Sequence, residues 1–265
     1  MLLNKHNCAL ASRVGVVSLA QGFGTTVTTM NAIIISRAIL TTGFFSGATI
    51  WASVRGRLTH ERGDDIVREW SRRLLQQVDV RIKVAGLENI EPNVNYVVMS
   101  NHQSLYDIPA IFVSLPLTIR MVAKAELFKI PIWSQAMKSA GFVPVHRGQR
   151  ERALQDLRMA QEAIGKGINI WIAPEGTRSR DGNLLPFKSG GFLLASAAKV
   201  PVLPITVDGT RNILPAKALE FVRGVEVHVT VGKPINPIDF PKKDRAKFID
   251  AVRSAITAGF REPRT

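Results

Sequence analysis

At 265 residues the chain is long enough for one α/β domain with a substantial core and a small appendage. Lys and Arg number 35 against 21 Asp and Glu, a formal net charge of +14, so the surface calls for an anionic partner: nucleic acid, acidic lipid headgroups or a phosphorylated substrate. Aromatics at 7% and the lack of an RNA-recognition or zinc-finger pattern disfavour nucleic acid, and Cys8 as the sole cysteine excludes an internal disulfide framework and a Cys-rich zinc site.

Residues 1–60 contain no Asp or Glu, only Lys5, Arg13, Arg37, Arg55 and Arg57 among apolar and small residues. Between these cations lie two charge-free stretches, 14–36 and 38–54. The first is long enough to cross a bilayer core of about 30 Å, whereas the second falls short of the roughly 20 apolar residues usually needed. Both are rich in Thr, Ser and Gly, and Arg37 between them is costly at bilayer depth unless it sits at an interface. The expectation is a helical pair, 1–60, that dips into or lies on a membrane. A targeting segment is the alternative, although the region is too long for a simple signal peptide.

From residue 61 the pattern becomes that of a compact domain, 61–258, followed by a basic tail, 259–265. The stretch DDIVREWSRRLLQQV sets Ile66, Val67, Trp70, Leu74, Leu75 and Val78 on one helical stripe, with acids early and arginines late as the helix dipole prefers. Seven short apolar or alternating runs then read as strands: VRIKVAG, NYVVMS, TIRMVAK, GFVPVHR, NIWIAP, VPVLPITV and VEVHVTVG. Helical patterns near 107–115, 131–139, 150–165, 189–199 and 242–258 fall between or after them. This alternation predicts an α/β fold with a mixed, largely parallel sheet flanked by helices.

The run NHQSLYD, 101–107, follows the strand YVVMS directly. Sites in open α/β sheets gather at such strand ends. Residues five apart on a continuous helix point roughly 140° away from each other, so His102 must lie in the connecting loop and fold back to meet Asp107. A carboxylate there can fix the imidazole tautomer and leave the other ring nitrogen as a base. The plainer reading makes Asp107 a helix cap, or the acidic end of a capping box begun by Ser104, with Pro109 in the first turn. That leaves His102 unexplained.

Three further stretches follow. IAPEGTRSRDG, 172–182, packs Glu175, Gly176, Arg178 and Arg180 into a turn after a strand, where glycine allows close approach and arginine can grip a phosphate with two bonds. GFVPVHRG ends a strand on Arg147, and VPVLPITVDGT, 200–210, reads as a buried strand bracketed by prolines. In order, the four stretches resemble the four sequence blocks of the glycerolipid acyltransferase family, which includes the 1-acylglycerol-3-phosphate acyltransferases. NHQSLYD is similar to its N-H-x-x-x-x-D block, GFVPVHRG to its second, PEGTRSR to its E-G-x-R block and VPVLPI to its apolar fourth, over roughly residues 75–235.

The resemblance implies that His102 is the general base and Asp107 its partner, and that Arg147, Glu175, Gly176 and Arg178 hold the acceptor's phosphate and glycerol, with Thr177 beside them. It leaves His146 without a role, since relatives often carry an acid at that place. It implies acyl transfer from acyl-CoA or acyl carrier protein to the free hydroxyl of lysophosphatidic acid. Glycerol 3-phosphate, lyso-ornithine lipid and other lysophospholipids stay open as acceptors. No metal or organic cofactor is called for, and no HExxH, G-x-S-x-G or G-x-x-x-x-G-K-[ST] pattern occurs. An anionic membrane surface is the expected partner, met by Arg55, Arg57, Arg68, Arg72 and Arg73, with the site on the cytoplasmic side of an inner or cytoplasmic membrane. A solvated helix face accounts for those arginines equally well, and a non-enzymatic basic module or a hydrolase using His102 remain as rival readings.

Overall fold

The computed structural model describes residues 11–146 and 150–261, the side chains of 11–28, 150, 151, 153 and 242 aside. A single helix, α1 (Ala11–Val54), precedes α2 (His60–Gln76). The chain then runs β1 (Arg81–Ala85), β2 (Val97–Ser100), α3 (Asp107–Ser114), β3 (Ile119–Lys124), α4 (Trp133–Ser139), β4 (Val143–Val145), α5 (Arg150–Gly165) and β5 (Asn169–Ile172). It closes with α6 (Gly190–Ala198), β6 (Val202–Asp208), a single turn α7 (Thr210–Ile213), β7 (Glu226–Val231) and α8 (Arg245–Ala258). All seven strands join one sheet in the order β1-β7-β6-β2-β5-β3-β4. The five strands from β6 to β4 are parallel, β7 runs antiparallel to β6, and β1 is parallel to β7.

The helices cover both faces, as a mostly parallel sheet requires. On one side α3 and α2 pack over Val98, Leu203, Ile205, Val207, Val227 and Val229. On the other α5, α6 and α8 pack over Val97, Met99, Ile170 and Val202. The period of two along each strand sorts neighbours such as Val97 and Val98 to opposite faces. Phe260, past the end of α8, is buried on that second face.

The expected helical pair within 1–60 is corrected: 11–54 forms one continuous helix, which packs against both α2 and α4. No proline occurs in that span, and Arg37 sits on the exposed side, so neither residue type interrupts the backbone ladder. Thr59 caps α2 by accepting the Arg62 N–H at 3.1 Å. On α2, Leu74 and Leu75 are buried as the stripe predicts, while Trp70 Nε1 donates to Thr42 Oγ1 at 3.1 Å and Gln77 Nε2 to Thr41 Oγ1 at 2.9 Å.

Apart from buried Ile34 and exposed Arg37, the amphipathicity of α1 is inverted with respect to water. Asn31, Ser46 and Thr49 are buried against the domain, whereas Met30, Ile33, Ile39, Leu40, Phe44, Trp51 and Val54 are exposed. Its stretch Thr29–Val54, 26 residues at mean hydropathy 1.5, is long and apolar enough to cross a bilayer. Arg55 lies 4.5 Å over the Trp51 ring, a pairing of the kind found at membrane interfaces.

A buried ion pair fixes α2 to the sheet. Arg120 on β3 donates to Asp64 at 2.5 Å, and Thr118 Oγ1 donates to the other carboxylate oxygen at 2.6 Å. Both ionised side chains are nearly sealed from water.

Candidate active site

Because β2, β5 and β6 are parallel neighbours, their C-terminal ends open on one edge. NHQSLYD leaves β2 there, PEGTR leaves β5, and Thr210 follows β6. Asn101 ties two of them together: its amide donates to the Val207 carbonyl and accepts the Val207 N–H, both at 2.8 Å. The side chain mimics a peptide unit and extends the ladder by one rung.

His102 Nδ1 lies 2.7 Å from Asp107 Oδ2. The same oxygen accepts the backbone N–H groups of Gln103 at 2.7 Å and Ser104 at 2.9 Å, while Thr210 Oγ1 donates to Oδ1. A carboxyl receiving that many donors is held as the acceptor, which makes His102 Nδ1 the protonated nitrogen and leaves Nε2 as the basic one. Asp107 is fully buried and His102 is 19% exposed at its side chain, so the pair offers only its imidazole end. The capping-box reading of Ser104 and Asp107 is half right, since Asp107 does take the Ser104 N–H. Tyr106 precedes α3 without a side-chain cap, and the carboxylate serves the loop and the imidazole rather than the helix.

Glu175 sits beneath this loop. Its two oxygens accept the His102 N–H at 2.7 Å and the Leu185 N–H at 3.0 Å. Burial pushes its carboxyl up to about 7, against the pull of those two N–H groups. Ser179 N donates back to the His102 carbonyl at 2.8 Å. The third block therefore braces the first, and Glu175 acts on His102 from below instead of facing a ligand.

A groove of about 480 Å³ runs past the imidazole. His102, Gly176, Thr177 and Arg178 line it, together with Lys124 at the end of β3 and Lys188 ahead of α6. Gly176 adopts a left-handed φ of +70°, and a Cβ added there would lie 2.9 Å from Lys188 Nζ, so the glycine makes room for the lysine. Arg147 lies outside the described residues. His146 before it is tied down, its N–H donating to Asp156 at 2.8 Å and its Nδ1 lying 3.1 Å from both carboxylate oxygens. An apolar recess of about 80 Å³ between α1, α2 and α4 shares Ile108 and Met121 with the groove.

Of the expected site residues, His102, Asp107 and Glu175 converge directly, and Gly176, Thr177 and Arg178 share the groove wall with the imidazole. Sequence reasoning passed over Lys124, Lys188 and Thr210, and gave Asn101 no role beyond its place in the NHQSLYD block. Lys124 ends a run already recognised as a strand, where a cation is common to many surface residues, and Lys188 lies between the 172–182 stretch and α6, where no pattern marks it. Of the arginines expected to meet lipid, Arg72 and Arg73 both pair with Glu69, and Arg68 donates to the Leu117 carbonyl at 3.2 Å.

The charge laid out along this groove suits a phosphate, and the imidazole end suits removal of a hydroxyl proton. A family model described as Acyltransferase matches residues 81–208. The chloroplastic 1-acyl-sn-glycerol-3-phosphate acyltransferase BAT2 of Brassica napus is 38% identical over 153 residues, 57% of this chain and 44% of that protein. The 1-acyl-sn-glycerol-3-phosphate acyltransferase alpha of Mus musculus is 32% identical over 187 residues, 70% of this chain and 66% of that one. The crystal structure of the 1-acyl-sn-glycerophosphate (LPA) acyltransferase PlsC from Thermotoga maritima superposes with a TM-score of 0.73 at 28% identity, covering 91% of this chain and 99% of that one. The chain thus spans from under half to about two thirds of these curated relatives and nearly all of the solved one.

Proposed function

Since the chain belongs to the acyltransferase family that includes the 1-acyl-sn-glycerol-3-phosphate acyltransferases, we propose that it transfers a fatty acyl group to the free hydroxyl of 1-acylglycerol 3-phosphate, giving phosphatidic acid. The donor is a thioester, acyl-CoA or acyl carrier protein, and the groove faces the cytoplasmic side of the membrane. The observation that carries this reading is the His102–Asp107 pair, presented on the wall of a groove that also holds Arg178, Lys124 and Lys188.

In the proposed step His102 Nε2 takes the proton of the acceptor hydroxyl as its oxygen attacks the thioester carbonyl carbon. The imidazolium that forms bonds to Asp107, whose charge stabilises it. Collapse of the tetrahedral intermediate breaks the C–S bond, and the proton passes from Nε2 to the departing thiolate. The lysines and Arg178 hold the acceptor's phosphate, and the recess at Ile108 and Met121 offers apolar cover to an acyl chain. The step as drawn uses no metal or organic cofactor.

A general base of this kind contributes typically 10² to 10⁴ in rate. The test is transfer from palmitoyl-CoA and oleoyl-CoA to lysophosphatidic acid by detergent-purified protein, beside His102→Ala and with acyl carrier protein donors in parallel. Phosphatidic acid formed by the wild type, with a loss of at least about 10² in the variant, supports the reading. Wild-type turnover in His102→Ala would remove the base from the mechanism.

A further inference from the structure

We infer that the loop 214–225, between α7 and β7, is a second lipid-contacting element that seats the mouth of the groove on the bilayer beside α1. In this loop Leu219 is 71% exposed and Val222 55% exposed. Looseness does not account for the exposure. Val222 N donates to the Ile213 carbonyl and Gly224 N to the Val78 carbonyl, both at 3.0 Å, so the loop is tied back to its own start and to the body of the domain just after Leu219.

Between the two exposed residues Phe221 turns inward and makes two connections. Its N–H donates to Asn31 Oδ1 on α1 at 3.1 Å. Its ring meets Tyr106 of the catalytic loop edge-on, with centroids 6.1 Å apart. The neighbour of Tyr106, Leu105, is 51% exposed and also lines the groove. On α1, Met30 and Ile33 stand exposed on either side of Asn31. The apolar side of α1 is thereby carried across the loop to the lip of the site.

Single exposed apolar residues are ordinary on a protein surface. This set is joined by a hydrogen bond to a helix whose outward side over 29–54 carries Met30, Ile33, Ile39, Leu40, Phe44, Trp51 and Val54 with Arg37 as its one charge, and the continuity selects a bilayer as the occupant. Charge does not draw the loop in, because Lys217 and Glu220 oppose each other in sign and Arg223 is paired with Asp79 at 2.5 Å. Insertion therefore depends on Leu219 and Val222, and binding through this element is insensitive to the anionic content of the membrane.

The inference rests on membrane association of α1, which one experiment tests separately. Full-length protein carrying Cys8→Ser receives a single cysteine at Leu40, Leu219, Val222 or Lys247, is labelled with an environment-sensitive fluorophore and is reconstituted into phosphatidylcholine vesicles. Lys247 lies on α8, over the sheet face opposite α2 and α3, and serves as the aqueous control. Emission at positions 40, 219 and 222 is expected to shift to the blue and to be quenched by doxyl-labelled lipid, while the label at 247 is quenched by aqueous iodide alone. Lipid quenching at 40 with iodide quenching at 219 and 222 would overturn the loop's role and leave that of α1 intact. Iodide quenching at 40 as well would overturn membrane association with it. A label at 219 shielded from both quenchers would replace lipid by a second copy of the chain.

Discussion

Replacing Asp107 by Asn separates the two things its carboxylate does. Oδ2 accepts three N–H groups, from His102, Gln103 and Ser104, and Oδ1 accepts the Thr210 hydroxyl. An asparagine keeps these partners only if its oxygen takes the Oδ2 place, since an NH₂ group there would confront three donors. Its NH₂ then faces Thr210, whose hydroxyl can rotate to accept. The two backbone donors thus hold the amide the right way round, and the imidazole keeps Nδ1 protonated and Nε2 free. What is lost is the negative charge opposite the imidazolium, and a bond to a charged group is worth about 1.5–3 kcal/mol. The expected loss in kcat for acyl transfer is therefore roughly 10- to 150-fold, at 1.4 kcal/mol per tenfold. Where an Asp-to-Asn exchange inverts the histidine tautomer, the loss is about 10⁴. Steady-state kinetics on lysophosphatidic acid at saturating acyl-CoA distinguish the two, and a fall of about 10⁴ would refute the claim that Gln103 and Ser104 fix the orientation.

Three other perturbations have expected outcomes. Burial raises the Glu175 carboxyl from its ordinary 4.5 to about 7, so the folded state binds that proton more tightly than the unfolded chain. Its contribution to stability is complete below the ordinary carboxylate range and is lost as the pH rises through 7, by about 3 kcal/mol in all. Urea unfolding between pH 5 and 8 should show this slope in the wild type and not in Glu175→Gln; an equal slope in both would assign it elsewhere. Asp64→Ala leaves the Arg120 guanidinium buried without its counter-charge and should destabilise the fold by about 3–5 kcal/mol. A change in the urea midpoint equivalent to less than about 1 kcal/mol, the scale of an exposed pair, would show that water reaches Arg120. Gly176→Ala forces a left-handed alanine, at about 1–2 kcal/mol, and displaces Lys188, so the acceptor KM should rise together with a fall in stability. A stable variant with wild-type KM would remove Lys188 from phosphate binding.

The sheet was legible because its strands are short apolar runs separated by turn residues, and each of the seven sequence segments became a strand. The pairing was less so. In sequence β7 alternates as β1 does, so its pattern marks a strand with one covered face but not its direction, which is decided by where the chain re-enters the sheet after 214–225. The spacing of the histidine and aspartate after a strand marked them as a candidate pair but left a helix cap equally open, and their roles came from the resemblance of the four ordered blocks. The partners that make them a unit could not be read at all: Thr210 comes more than a hundred positions later, and its approach to Asp107 depends on β6 lying beside β2. Glu175 shows the same limit differently, since a charged turn residue looks alike whether it faces a ligand or folds under its neighbour. For α1 the error came from treating Arg37 as a break. An arginine on the outer side of a helix keeps its backbone bonds, and only the packing of Asn31, Ser46 and Thr49 reveals which side is outer.

That packing bears on how the long apolar helix relates to the α/β domain behind it. Hydroxyl and amide groups of α1 meet Trp70, Gln77 and the backbone of Phe221 at defined distances. A generic hydrophobic anchor grafted in its place would present leucines to those polar partners and leave them unsatisfied. The helix is accordingly a component of the folded body that also happens to be greasy on its outside. Shortened versions that start near residue 60 would have to repair that exposed seam before they could behave as a soluble catalytic domain.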